Sequence, residues 1–199
     1  MEAPAAWLAD VFDETIQLPD RAGMLECHRH TRPASLRAGD DAMMRPITGF
    51  RTDAEGDWVA VLSCGHPQHV RHRPPFTLRP WVMTEEGRRG RIGMPLNCVR
   101  CEAFELPAGF VAYKRTQVFT ETTIPDALRR DHATRPGVWA QIVVLEGRLR
   151  YTVDTPPLTT ELSADRPGIV PSEARHRVEP LGPVRFQVEF WAAPVVSGG

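Results

Sequence analysis

The sequence predicts a mainly β protein in two parts: a small metal-stapled β-rich module, then a larger barrel or sandwich. Three observations predict it. Short apolar runs recur through the C-terminal half, separated by turns at Pro156-Pro157, Pro167-Gly168, Pro180 and Gly182-Pro183. Many short strands punctuated in this way are the pattern of an all-β sandwich or barrel. Two short runs, Cys64-Gly65-His66 and Cys98-Val99-Arg100-Cys101, have the ligand spacing of a tetrahedral Zn²⁺ site, each folding around the ion as a tight knuckle. The stretch that carries them has too little apolar sequence for a core of its own, and a small module of that kind needs a staple.

Taken in order, residues 1–43 mix alanine and charge without a sustained period and are expected to form a weakly ordered extension. The extension contains Cys27-His28-Arg29-His30, whose residues lie too close together in the chain to wrap one ion. Met43-Met44 precede a cleaner pattern, which makes Met44 an alternative beginning for the module over 44–103. There Ile47–Phe50 and Trp58–Leu62 read as two strands, with Asp53-Ala54-Glu55-Gly56-Asp57 supplying the turn. The first knuckle follows the second strand directly, and a short helix is expected near Thr84–Arg89.

Over 105–193 the apolar strand Trp139–Leu145 turns at Glu146-Gly147 into the alternating run Arg148–Val153. Further strands are expected near Thr159–Leu162, Gly168–Val170, Arg175–Glu179 and Val184–Trp191.

Composition is that of a soluble globular chain: 199 residues, 42% hydrophobic, net charge −1. No apolar run approaches the ~18–20 residues of a membrane span. Asp10, Asp13 and Glu14 interrupt any signal-peptide pattern, so a cytoplasmic location is expected. Thiols stay reduced there, which favours metal over disulfide for clustered cysteines. Lys114 is the only lysine among 24 basic residues, an arginine bias typical of a GC-rich genome rather than of function.

Cys64, His66, Cys98 and Cys101 are therefore assigned as ligands of a structural Zn²⁺, because four protein ligands leave no position for water. His69 and His72 compete for the histidine position, since a C-x4-H knuckle is also sterically allowed. Between Cys64 and Cys101 stand Arg71, Arg73, Arg79, Arg88, Arg89, Arg91 and Arg100 against Glu85 and Glu86. With Phe76 and Trp81 they suggest an anion or nucleic-acid surface, although codon bias and ordinary solvated charge are the favoured account.

In the second part, Pro171-Ser172-Glu173-Ala174-Arg175-His176 has the P-x4-H spacing of the second cupin motif, with Glu173 where that motif has glycine. Gly137 to Gly147 resembles the end of the first motif, but its H-x-H pair is missing and Ala140 stands at the position of its Glu. His132, His176 and Glu189 could still converge on a second Zn²⁺ or Fe²⁺, as two histidines and a carboxylate do at catalytic centres. Ordinary polar residues in or beside a barrel are the competing account.

Several stretches carry a family resemblance: Leu106-Pro107-Ala108-Gly109, Tyr113-Lys114-Arg115-Thr116, Arg130-Asp131-His132-Ala133-Thr134, Val144-Leu145-Glu146-Gly147, His176–Pro180 and Phe186–Phe190. Over about 105–192 the chain resembles the TehB/YeaR-like family of small cupin-like domains, found alone or in front of a tellurite-resistance methyltransferase. The resemblance implies a double-stranded β-helix barrel with a polar, metal-bearing pocket. The chain ends at Gly199 without room for a methyltransferase, so tellurite methylation is not expected of it. Arg45–Phe50, Glu55–Ala60, Cys64-Gly65-His66 and Asn97–Cys101 are similar to a family of small uncharacterised bacterial Cys/His proteins, a resemblance that implies no function.

Two readings follow. One is a non-catalytic protein with a structural zinc site, whose barrel binds a small molecule, an oxyanion or a metal ion in a tellurite, oxyanion or nitrosative stress response. In that reading the zinc module can also dock a protein or nucleic acid, and barrel edges can pair in a homodimer. The other is a metal-dependent dioxygenase- or isomerase-like cupin enzyme using His132, His176 and Glu189. The incomplete first motif favours the first reading.

Overall fold

The computed structural model describes residues 42–70 and 79–194. The expected extension lies outside the described residues except for Ala42 and Met43, and so do the Cys27–His30 run, Arg71, His72, Arg73 and Phe76.

Strands β1 (Met44–Thr52) and β2 (Trp58–Leu62) form the expected hairpin, pairing from Ile47↔Leu62 to Thr52↔Trp58. Its turn is built by Asp53, whose carboxylate accepts from the amides of Glu55 (3.1 Å) and Asp57 (2.8 Å), as Asp in a turn does. Two strands not foreseen in the sequence complete this sheet: β3 (Pro67–His69) beside β2 and β4 (Pro95–Asn97) beside β1. Each has three residues and begins at proline, a start that a sheet edge accommodates. Helix α1 (Glu85–Arg89) is capped by Thr84, whose hydroxyl accepts from the Gly87 amide. A second helix, α2 (Val99–Glu102), carries Cys101.

The remainder is also mainly antiparallel β. Strands β5 (Val111–Arg115) and β6 (Phe119–Thr120), helix α3 (Asp126–Arg129) and strands β7 (Trp139–Glu146), β8 (Leu149–Val153), β9 (Leu158–Leu162), β10 (Gly168–Val170), β11 (His176–Pro180) and β12 (Arg185–Ala192) follow in order. One sheet runs β10-β7-β12-β5, with β6 also on β12, and the other runs β11-β8-β9. The strand alternation read from the sequence is kept: Phe186, Val188 and Phe190 are buried, whereas Gln187 and Glu189 take the opposite face of β12. The β7–β8 turn requires Gly147, at φ +78°, because a Cβ there would lie 2.2 Å from the Pro183 carbonyl oxygen.

A single apolar core runs through both parts of the chain. Ile47, Leu62, Val82 and the three described cysteines belong to the same buried cluster as Trp139, Tyr151, Phe186 and Phe190. The small sheet thus has no separate core. No helix among the described residues is long and apolar enough to cross a membrane.

Candidate metal centre

The first knuckle grows out of β2. The Gly65 amide donates to the Leu62 carbonyl (2.8 Å) and the Leu62 amide to the His66 carbonyl (3.0 Å), closing a tight turn with Gly65 at φ +91°. The second knuckle is the start of α2: the Cys98 amide donates to the Met43 carbonyl, and the Glu102 amide reaches back to Cys98. The β1–β4 pairing from Met44↔Asn97 to Pro46↔Pro95 holds the two knuckles face to face.

Cys64, His66, Cys98 and Cys101 meet there, with their ligand atoms all within 4.8 Å of one another. The Cys64 and Cys98 sulfurs are 3.8 Å apart. His66 Nδ1 lies 3.7, 3.4 and 3.6 Å from the sulfurs of Cys64, Cys98 and Cys101. Zn–S bonds of ~2.3 Å and a Zn–N bond of ~2.0–2.1 Å at tetrahedral angles give edges of ~3.8 Å between sulfurs and ~3.6 Å from sulfur to nitrogen. The Cys64–Cys98 distance and the three sulfur-to-Nδ1 distances match those edges, so the four residues fit a Zn²⁺ ion. All three cysteines are fully buried and His66 is 1% exposed, which closes the site to solvent.

Three thiols this close cannot all ionise without a cation. Hydrogen bonds from Cys101 and then Cys64 hold the Cys98 thiol far below its usual range. The bond with Cys101 favours ionisation of Cys64, but the bond with Cys98 and burial outweigh it and push Cys64 up to about 11. Hydrogen bonds with Cys64 and Cys98, together with burial, push Cys101 higher still. A divalent ion reverses this, because it stabilises every thiolate that it binds.

The centre rests against the second part of the chain. Trp139, read from the sequence only as a strand residue, donates from Nε1 to the Cys64 carbonyl (2.8 Å) and sets its indole edge-on to the His66 ring at 5.2 Å. Phe110 covers Gly65 so closely that a Cβ there would lie 2.3 Å from its ring. Arg45, buried on β1, donates to the Ser172 carbonyl and pairs with Glu173 at 3.4 Å. Glu173 has φ +61°, in the left-handed region that favours glycine. Here Arg45 and the Thr134 hydroxyl, which accepts from the Glu173 amide, hold the side-chain-bearing residue in place. No spacing rule pointed to Trp139, Phe110 or Arg45, whose roles arise from contacts between distant parts of the chain.

The other candidate ligands divide. His69 is 53% exposed and lies 3.5 Å from Asp53, away from the four-residue cluster, and His72 is outside the described residues. His132 and His176 do meet: their rings are 4.1 Å apart, and their backbones form a two-bond bridge. Burial lowers both, His132 to about 4 and His176, with His132 beside it, to about 3. The expected third ligand departs from the sequence reading. Glu189 sits on the outer face of β12 and pairs with Arg115 at 2.6 Å, because strand alternation sends its neighbours Val188 and Phe190 to the core.

The basic residues near the knuckles are largely engaged within the fold. Arg88 stacks on Trp58 at 3.6 Å and Arg91 on Trp81 at 5.1 Å, while Arg89 pairs with Glu85 and Arg100 with Glu105.

Comparison with known proteins separates the two parts. A family model described as a protein of unknown function (DUF3565) matches residues 48–105, and one described as a TehB-like domain matches residues 114–188. No curated protein matches the sequence. Among solved structures, a structural-genomics target from E. coli (strain K12) is 23% identical, with a TM-score of 0.42, over 45% of this chain and 97% of that one. TehB from Haemophilus influenzae is 23% identical, with a TM-score of 0.40, over 43% of this chain and 32% of that one.

Proposed function

We propose that this chain is a zinc-stapled binding protein. In this reading Cys64, His66, Cys98 and Cys101 hold a structural Zn²⁺ that fastens residues 44–103 onto a cupin-like β domain, about 105–193, and that domain binds a small molecule. The observation that carries the zinc assignment is the set of four buried donor atoms at the edge lengths of a zinc tetrahedron. The TehB-like match suggests a role related to tellurite resistance, with the β domain acting in an oxyanion or nitrosative stress response. A buried three-thiol set suits the reducing cytoplasm.

The enzyme reading has less support. A catalytic centre at His132 and His176 would need a carboxylate beside them, and Glu189 is committed to Arg115 on the other face of its strand.

The test is metal content after purification under reducing conditions without added metal. We expect one zinc per chain, lost in His66→Ala and Cys98→Ser and kept in His69→Ala and His72→Ala. Full zinc content in both His66→Ala and Cys98→Ser would overturn the assignment. A second metal per chain that disappears in His176→Ala would restore the enzyme reading.

A further inference from the structure

A cleft of about 210 Å³ opens where β9, the edge of the three-stranded sheet, meets β10, the edge of the five-stranded sheet. Its walls are apolar: Tyr151, Leu158, Leu162 and Ile169 from the β domain, and Phe104 from the tail of the metal-binding helix. Gly168 keeps it open and tightly floored, since a Cβ there would lie 2.6 Å from the Leu162 side chain. The Tyr151 hydroxyl is already used, donating to the Ile169 carbonyl at 2.8 Å.

The rim holds one ionic group, Arg166, and no carboxylate lines the cleft. Elsewhere on the same three-stranded sheet, Arg148, Arg150 and Arg177 pair with Glu161, Glu179 and Asp154. Among the described residues Arg166 has no such partner. Its backbone is nonetheless fixed, because Ser163 and Arg166 exchange both amide-to-carbonyl hydrogen bonds across a tight turn. Thr160 adds a hydroxyl to the lining.

We propose that this cleft binds a small organic monocarboxylate, with its apolar body between Leu158, Leu162 and Phe104 and its carboxylate on Arg166. An apolar pocket with a few placed polar groups is the common form of a small-ligand site. A guanidinium matches a carboxylate through two parallel hydrogen bonds. One cation suits a single negative charge; a phosphate dianion would leave charge uncompensated beside apolar walls. The volume is below the ~300–1,000 Å³ of drug-sized sites, which limits the ligand to a compact body such as one ring or a short alkyl chain. This inference rests on the reading of the β domain as a small-molecule binder and names its ligand class.

The experiment titrates the zinc-loaded full chain with benzoate, hexanoate, phenyl phosphate and the neutral benzamide, following backbone amides by NMR. Benzoate or hexanoate should shift the amides of Tyr151, Leu158, Leu162 and Gly168, and benzamide should bind about tenfold or more weakly. Arg166→Gln, on an exposed turn, should keep the fold and zinc content and remove that preference for charge. Leu158→Trp should block both carboxylates by filling the cleft. Equal binding of benzamide, tighter binding of phenyl phosphate, or undiminished benzoate binding in Arg166→Gln would overturn the ligand class while leaving a small-molecule site. No shift around the cleft with any probe would overturn both this inference and the binding reading.

Discussion

The sheet of β1–β4 and the sheet that holds β7 and β12 are both antiparallel, yet different physical effects hold them. The β7–β12 region buries large side chains from many strands, with Trp139, Tyr151, Phe186 and Phe190 at most 1% exposed. The β1–β4 region has two strands of only three residues and holds the four buried Cys and His residues. Apolar burial stabilises the first in proportion to area. On the proposed zinc reading the second depends on a few bonds to one ion, which makes its stability conditional on metal supply. The contact between them is where the conditional part is passed on: Trp139 belongs to β7 and holds a ligand's carbonyl.

The largest test of that contrast is Cys98→Ser in the zinc-loaded chain. Structural zinc contributes apparent free energies of ~10–16 kcal/mol in finger peptides, so this variant should lose the β1–β4 sheet outright. Hydrogen exchange should show fast exchange over 44–70 and 79–103, with slower exchange kept in β7 and β12. Uniform protection across both regions would mean that the ion is dispensable.

Next in size is Phe186→Ala, which should destabilise the β domain by ~3–5 kcal/mol through the cavity it leaves. Zinc content should stay near one per chain while the denaturation midpoint falls. Loss of zinc in this variant would show that the metal region cannot stand without its neighbour's core.

Acid should act on the β domain through His132 and His176. Their folded values, about 4 and about 3, lie below the ~6.5 of an unfolded histidine. The unfolded chain therefore binds more protons between those values, and stability falls as pH drops through that window. Each histidine should cost up to ~1.4 kcal/mol per pH unit there. Urea melts at pH 7 and pH 5 measure it; His176→Gln should flatten the dependence, and an unchanged slope would refute it.

The smallest expected effect is Trp139→Phe, which keeps the ring and removes the donor to Cys64. Leaving that buried carbonyl unpaired should cost ~1–3 kcal/mol. Faster zinc transfer to a chelator, with little change in far-UV circular dichroism, would locate the loss at the contact.

The sequence made some of this legible and hid the rest for physical reasons. The strands from Trp139 to Trp191 showed because alternation and Pro/Gly turns are local signals, and Asp53-Ala54-Glu55-Gly56-Asp57 announced its own turn. The clustering of Cys64, His66, Cys98 and Cys101 showed because knuckles are local too. Strands β3 and β4 did not show, since three residues starting at proline carry no period. Glu189 was misplaced because alternation says that neighbouring residues part company, not which one faces inward. Trp139 looked like one more core aromatic; only the fold brings its Nε1 to Cys64.

That last contact spans 75 residues of chain, and Arg45 reaches Ser172 across 127. Translation advances at ~5–20 residues per second, so the indole that walls the candidate metal centre emerges ~4–15 s after Cys64. Until then the thiols already synthesised lack that wall. Their first encounter with zinc, an oxidant or a soft foreign metal takes place on the nascent chain, before the second half has sealed them. On the proposed zinc reading, the timing of metal supply relative to synthesis thus becomes a condition for making this protein correctly.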